Sequence, residues 1–305
     1  MKRRSYHDPL HGEIILDSND PAEAMVIALI DAPAFQRLRR IRQLGPAFLT
    51  FHGAESSRFT HSIGVLHLAR RALQHLERLA PELAEHRGLI YGAALLHDVG
   101  HPPFSHLLET SEVFATFRHH ESWGREMLTS EDTEVGVAVR KVLGTQRFER
   151  LLALLDGAEE HEGVPIPKVL KEIVSSQLDV DRMDYLVRDQ ANTGAQIGGF
   201  DIDRVMRALR IAPEGGLHVK RWGLPAIEAY LVTRYHMYLQ VYFHKVNMLT
   251  QTYLVRMLSR ARTLAEAGDL TLSSALTSML LDKDLDASTY ASLHDAHVLV
   301  ELPSW

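Results

Sequence analysis

Apolar residues along this chain recur mostly at intervals of three and four, the spacing that lines one face of a helix. Pro21 opens a helix that runs to about Ile30, and Asp31-Ala32-Pro33 caps a second, Pro33 to Gln43, ended by Gly45. Ile63, Leu66, Leu73 and Leu76 keep a helical period behind Thr60, which is read as the N-cap. The run Ala93-Ala94-Leu95-Leu96 closes a helix from about Arg87 to Val99, stopped by Gly100 and the pair Pro102-Pro103. Beyond it the pattern predicts a short helix from Phe104 to about Thr110, another starting at His119-His120-Glu121, and an amphipathic span from Asp132 to Gly157. Helices over Lys168–Ser175, from about Val180, and over Asp201–Leu209 follow, then a long one from about Leu224 to Ala265, one over Leu270–Leu281, and a short acidic tail. Strand signals are few. Glu13 to Leu16 reads as a short strand or extended entry after the turn Asp8-Pro9-Leu10-His11-Gly12, and the segment from Leu209 reads as a hairpin turning at Glu214-Gly215-Gly216. The expected fold class is all-α with a small β-hairpin near residues 209–220. Residues 1–200 are expected to form a core, and 201–305 a helical extension packed with it as one unit.

Composition narrows the function. The chain has 305 residues, 46% of them hydrophobic, enough for a sizeable core. The absence of cysteine excludes disulfides and thiolate-bound metals and suits a reducing, cytoplasmic setting. The basic start MKRRSYHDPLHG leads into no apolar segment, and no apolar run approaches a membrane span. A net charge of -6 argues against a broad footprint on double-stranded nucleic acid. Eighteen histidines lend mild support to metal and proton-transfer chemistry.

That chemistry concentrates in LLHDVGHPPFSHLLE, Leu95 to Glu109. An isolated His-Asp pair is more often a satisfied polar pair at a helix end, but three histidines and two acids within thirteen residues shift the balance. His97 and Asp98 stand where the helix stops and can converge on one ion, and His106 and Glu109 are three apart, so a carboxylate can orient an imidazole. His61 rides in a first helical turn. In SSQLDVDRMDYLVRD the residues Asp181, Tyr185, Arg188 and Asp189 fall on one helical face, which suits the wall of a polar cavity at least as well as a face in bulk water. Arg37, Arg39, Arg40 and Arg42 form a basic cluster, and Arg234, Tyr238, Tyr242 and Lys245 make a cationic and aromatic stripe suited to bases and phosphates. An imidazole and carboxylate set without thiolate suits Mn, Fe, Co, Mg or Zn in a site that keeps positions open for water.

Taken in order, DPLHG, DAPAFQRLRRIRQLG, RFTHSIGV, LLHDVGHPPFSH, HHE, DVDRMDYLVRD and YFHKV resemble the HD-domain phosphohydrolases, and within them the deoxynucleoside triphosphate triphosphohydrolases, the dGTPase-like group. The resemblance runs from Asp8 to about Lys245. It implies an HD-type helical fold and one divalent ion held by His61, His97, Asp98 and Asp181, with a second accompanying substrate left open. It implies hydrolysis of dNTPs, dGTP among them, at the α-phosphorus, giving deoxynucleoside and triphosphate. His106, oriented by Glu109, is similar to the family's general acid, with His101 and His120 on the phosphates or the proton path; the family usually has aspartate where Glu109 stands. Arg58, Arg182 and Arg234 match triphosphate contacts, Arg182 replacing a lysine of some relatives. Gln43 and Asp189 match contacts to the sugar 3′-hydroxyl, Tyr242 packs on sugar and base, and Tyr185 crowds the 2′ position. Asp31, Gln36 and Arg39 match residues that read guanine in a regulatory site between subunits, which implies an activating nucleotide and a homo-oligomer, dimer or tetramer. Relatives of this group continue past the position of Trp305. The alternatives kept open are an HD-type phosphatase or phosphodiesterase acting on another nucleotide or single-stranded nucleic acid, and a nucleotide sensor without catalysis.

Overall fold

Local sequence explains most of the element boundaries in the computed structural model, which describes residues 3–110, 112–115 and 118–305. Strand β1 (Arg3–Asp8) pairs antiparallel with β2 (Gly12–Asp17), with Arg3 opposite Asp17 and Asp8 opposite Gly12. The Asp8 carboxylate closes the turn by accepting the Leu10 and His11 amides at 2.9 and 3.0 Å. The short strand expected as one alternative over Glu13 to Leu16 is β2; Ile14 and Leu16, both buried, anchor the whole hairpin to the helices.

Helix α1 (Pro21–Asp31) starts at Pro21 with Asp20 as its cap. Helix α2 (Pro33–Gln36) is shorter than the expected Pro33 to Gln43, because the chain tightens into a 3-10 turn over Arg37–Arg40. The buried Arg37 guanidinium drives this, donating to the carbonyls of Leu293, Val99 and His101 at 2.8, 2.8 and 2.9 Å. Helix α3 (Arg58–Glu77) lies at the centre of the fold, against α4 (Arg87–Leu96) on one side and the helix over Val180–Thr193 on another. Its cap is Ser57 rather than Thr60; the Ser57 hydroxyl accepts the Thr60 amide.

After α4 a 3-10 turn over Ser105–Leu108 replaces the expected helix to Thr110. Then come α5 (His120–Thr129), α6 (Glu134–Leu143) and α7 (Thr145–Leu155), the last two separated by Gly144 at a φ of 72° where one span from Asp132 to Gly157 was expected. A two-residue pair, β3 (Glu160–His161) with β4 (Val164–Pro165), precedes α8 (Lys168–Val174), α9 (Val180–Thr193) and α10 (Ile202–Ala208). The expected hairpin is β5 (Leu209–Ile211) against β6 (Leu217–Val219).

The long helix from Leu224 is interrupted. Helix α11 (Leu224–Met237) gives way to a π-helical turn over Tyr238–Tyr242, in which the Phe243 amide bonds the Tyr238 carbonyl at 2.9 Å, and α12 (Lys245–Ala267) resumes after His244. The C-terminal part is α13 (Ser274–Leu281), then two short helices, α14 (Ala287–Tyr290) and α15 (Asp295–Glu301), where an acidic tail was expected. Apolar and aromatic anchors hold them down: Tyr290 is buried, stacks on Trp123 at 4.0 Å and donates to the Gly100 carbonyl at 2.7 Å.

Candidate metal centre

Three elements bring together the four ligands expected from sequence. His61 stands in the first turn of α3, His97 and Asp98 follow directly after α4, and Asp181 is the second residue of α9, whose start is fixed by Asp179 accepting the Arg182 amide at 2.8 Å. His61 Nε2 lies 3.0 Å from Asp181 Oδ1 and 3.6 Å from Asp98 Oδ2, and His97 Nε2 lies 3.4 Å from Asp98 Oδ1 and 3.6 Å from Asp181 Oδ1. Neither Nε2 has a hydrogen-bond partner, although both are buried. Two orphaned imidazole nitrogens and two carboxylates turned to one point fit a divalent cation of the kind these donors prefer. Electrostatics agrees. Burial opposes charge on His61, yet the Asp181 and Asp184 carboxylates push its imidazole up to about 10, and despite burial the same imidazoles hold the Asp181 carboxyl well below its usual range. The cluster favours positive charge at its centre.

Behind His61 stands a network that the sequence-based expectations did not assemble. His61 Nδ1 donates to Asp184 Oδ2 at 2.8 Å, which leaves Nε2 as the free donor toward the centre. Asp184 also accepts His11 Nε2 at 2.6 Å and Arg188 Nε and Nη2 at 2.7 and 2.9 Å, and Arg188 reaches Asp8 at 3.0 Å. Arg188 therefore leaves the cavity face to which sequence assigned it, because two buried carboxylates need its charge. The contact admits no side chain on α3: a Cβ at Gly64 would lie 2.0 Å from Asp184 Oδ1. The signals for this network were present as the turn DPLHG and an acid three residues after Asp181, but their pairing spans the chain.

The loop after Asp98 builds a second histidine cluster. Phe104 and Ser105 adopt left-handed backbone conformations, φ 56° and 59°. The strain is held by Asp295 Oδ1, which accepts the Phe104 amide at 2.7 Å, and by the Ser105 hydroxyl donating to the Arg42 carbonyl at 2.7 Å. His106 follows with its Nδ1 2.7 Å from Glu109 Oε2, while Glu109 Oε1 takes His120 Nδ1 at 2.7 Å and the His120 amide at 2.6 Å. Although burial opposes it, these imidazoles hold the Glu109 carboxyl far below its ordinary range. His101 is buried beneath them, held neutral by burial and by Arg58 and the neighbouring imidazoles. Gly100 makes the approach of α5 possible, since a Cβ there would meet the Gly124 amide nitrogen at 2.2 Å.

Both clusters open on a cavity of about 910 Å³. Gln43, Arg58, Arg182, Tyr185, Asp189 and Tyr242 line it, as expected. Arg58 pairs with Asp98 and donates to the Ser105 hydroxyl at 2.7 Å, and Arg182 pairs with Asp179. Gln43 Oε1 and Asp189 Oδ1 are buried without partners, and Tyr242 donates to Asp189 Oδ2 at 3.0 Å. Burial pushes the Asp189 carboxyl up to about 7. Arg234 stays outside the lining: its guanidinium donates to Gln177 at 3.1 Å and faces the Tyr238 ring, so the expected cationic stripe reaches the cavity only through its aromatic members. A second cavity of about 640 Å³ is lined by Asp31, Gln36 and Arg39, with Arg39 Nε donating to Gln36 Oε1 at 2.7 Å.

A helical fold carrying a buried imidazole and carboxylate centre that opens on a polar cavity defines the class, a metal-dependent phosphohydrolase scaffold. The chain belongs to the HD-domain family: the HD domain matches residues 58–189 and the HD associated region residues 200–289. It is similar to the uncharacterized protein YwfO of Bacillus subtilis, 37% identical across all of this chain and 66% of that protein. It is also similar to the deoxynucleoside triphosphate triphosphohydrolase SAMHD1 of Danio rerio, 32% identical over 81% of this chain and 43% of that one. The chain spans between 48% and 66% of the length of the first curated relatives it matches. Among solved structures, a phosphohydrolase from Bacteroides thetaiotaomicron superposes with a TM-score of 0.84 at 28% identity, covering all of this chain and 72% of that one. A hypothetical protein from Aquifex aeolicus gives 0.77 at 32%, with the same coverage. No helix among the described residues is long and apolar enough to cross a membrane.

Proposed function

We propose that this chain hydrolyses deoxynucleoside triphosphates to deoxynucleoside and inorganic triphosphate in the cytoplasm, using one divalent ion held by His61, His97, Asp98 and Asp181. The observation that carries the reading is the pair of buried, unpartnered acceptors, Gln43 Oε1 and Asp189 Oδ1, in the same cavity as His97, Asp98 and Asp181. A sugar hydroxyl supplies the donor that these atoms lack. A divalent ion supplies an activated water and neutralises charge growing on the phosphoryl oxygens.

The side chains do the rest. Arg58 and Arg182 hold the triphosphate by charge-assisted hydrogen bonds. His106, its Nδ1 fixed by Glu109, keeps a proton at Nε2 for the leaving 5′ oxygen, and His101 and His120 flank the phosphates. Tyr185 and Tyr242, edge to face at 6.4 Å, bound the sugar pocket, and Tyr185 excludes a 2′-hydroxyl. Arg234 enters this reading only if the Tyr238 region moves on binding. Asp31, Gln36 and Arg39 form the reader of an activating nucleotide in the second cavity, in a homo-oligomer. Residues 1–200 act as the catalytic core, and 201–305 complete the nucleotide site.

The reading draws support from the SAMHD1 relatives, which bear the triphosphohydrolase name. Product analysis tests it: purified protein is incubated with each dNTP and with GTP in Mn²⁺ and then Mg²⁺, beside Asp98→Ala. Triphosphate with deoxynucleoside, absent in the variant, is the expected result, and the four dNTPs compared give any dGTP preference. Phosphate, pyrophosphate or a monophosphate as product would overturn it in favour of another HD-type phosphoesterase. Failure to turn over any dNTP, even with mixed nucleotides as activators, would favour a nucleotide sensor.

A further inference from the structure

The histidine cluster beside the metal centre has the donor set of a cation site in its own right. One donor atom from each of His101, His106, Glu109 and His120 lies within 4.8 Å of the others. The set shares no residue with His61, His97, Asp98 and Asp181. The rings are packed edge to face, with centroids 4.6 Å apart for His101 and His106, 3.8 Å for His101 and His120, and 5.2 Å for His106 and His120. Two features mark it as more than a hydrogen-bonded cluster. Glu109 stands between two imidazoles, one oxygen on each Nδ1 at 2.7 Å, so two protons now occupy the space between anion and nitrogen donors. His101 is fully buried; its Nε2 lies 3.3 Å from Asp98 Oδ1, and its Nδ1 has no hydrogen-bond partner. A buried imidazole with an idle nitrogen is costly unless something takes its lone pair. His120 and His106 line the open cavity, which supplies the entry path.

We propose that His101, His106, Glu109 and His120 form a second, inhibitory divalent-cation site that selects imidazole-preferring ions such as Zn²⁺, Co²⁺ and Ni²⁺ over Mg²⁺. Three imidazoles and one carboxylate make a four-donor set suited to tetrahedral Zn²⁺ or Co²⁺, whereas Mg²⁺ demands octahedral oxygen ligands. The entering ion takes the place of the two protons between Glu109 and the imidazoles: each imidazole binds through Nδ1 in its neutral form with one proton on Nε2, and a second proton, where the ring carried one, leaves to solvent. The inhibitory consequence rests on the proposed reaction: an imidazole bound to an ion cannot carry the extra proton that leaving-group protonation by His106 requires. The same residues would then serve either the reaction or the ion, and substrate and second ion would exclude each other.

The test counts ions. Full-length protein is stripped with chelator, dialysed against Zn²⁺ or Co²⁺, and analysed by elemental mass spectrometry, with the visible absorption of Co²⁺ as the signature of four-coordination. Wild type is expected to hold two ions per chain in Zn²⁺ or Co²⁺ and no second ion in Mg²⁺. His106→Ala, at a side chain that is 65% exposed and so spares the core, should keep one, as should His120→Asn. Asp98→Asn should lose the first ion and keep the intense Co²⁺ bands of the second. Saturation of wild type at one ion, or two ions retained in both histidine variants, overturns the site. Turnover of dNTPs should fall as the second equivalent binds and recover as substrate is raised; turnover indifferent to that equivalent overturns the inhibitory role. If two ions are counted but no dNTP is hydrolysed under any condition, the triphosphohydrolase reading fails while the cation site stands.

Discussion

Gly64→Ala adds one methyl group on the central helix, and its cost can be worked from the contact it would make. The new Cβ would lie 2.0 Å from Asp184 Oδ1 and 2.4 Å from Arg188 Nη2, distances that no packed carbon tolerates. Neither neighbour is free to move, since Asp184 is bonded to His61, His11 and Arg188, and Arg188 to Asp8 as well. If α3 and α9 separate to make room, the overpacking costs about 1–3 kcal/mol. If the buried ion pair breaks instead, the cost is about 3–5 kcal/mol. In both cases Asp184 no longer fixes the His61 ring, and losing such a support weakens metal binding by roughly 10–100-fold. Gly88→Ala is the control, because a Cβ there, near the start of α4, meets nothing within 4 Å. It should stabilise the chain by about 0.5–1 kcal/mol through backbone entropy and helix propensity. Urea denaturation followed by circular dichroism, with metal affinity from competition against a chromophoric chelator, separates the two. A Gly64→Ala protein within about 0.5 kcal/mol of wild type, the spread of neutral surface changes, and undiminished in metal affinity would refute the account of the network.

Two other perturbations test the supports of the site. Asp295→Ala strips the acceptor from the buried Phe104 amide and the half-buried Arg42 amide, bonded at 2.7 and 3.0 Å, and should cost about 3 kcal/mol in a urea melt and release the left-handed turn that presents His106; a melt indistinguishable from wild type would refute it. His67 reports acid lability. Burial first, and then His11, Arg71 and Arg70, lower it from 6.5 to about 4, so between those values the unfolded chain binds a proton that the folded chain refuses. Stability therefore rises with pH across that window, is complete above it, and falls by about 3 kcal/mol on acidification to its lower end. His67→Gln should flatten the urea midpoint against pH between those limits, and an unchanged slope would count against the assignment.

What could be read from sequence is what local rules decide. The proline and aspartate starts, the glycine stops and the apolar periods of α1, α3, α4 and α9 are short-range signals, and the chain obeys them to within a few residues. His61, His97, Asp98 and Asp181 stood out not singly, since a His-Asp pair at a helix end is more often a satisfied polar pair, but because histidines and acids crowd these stretches and their motifs resemble those of the HD-domain phosphohydrolases. The departures share a different cause. The turn at Phe104 and Ser105 is left-handed because Asp295, 191 residues later, holds its amide. The helix after Pro33 tightens because Arg37 finds carbonyls near Asp98 and His101 on one side and Leu293 on the other. Arg188 turns from the cavity because Asp8, far away in the first hairpin, completes its pairing. In each case a buried charge makes a contact across the chain that overrides the local preference of the backbone or the helix face. These overrides cluster where the candidate metal ligands and the histidine loop are held. That distribution follows from the chemistry: ligands on three separate helices can meet only if long-range contacts fix those helices against each other, and those are the contacts that periodicity cannot carry.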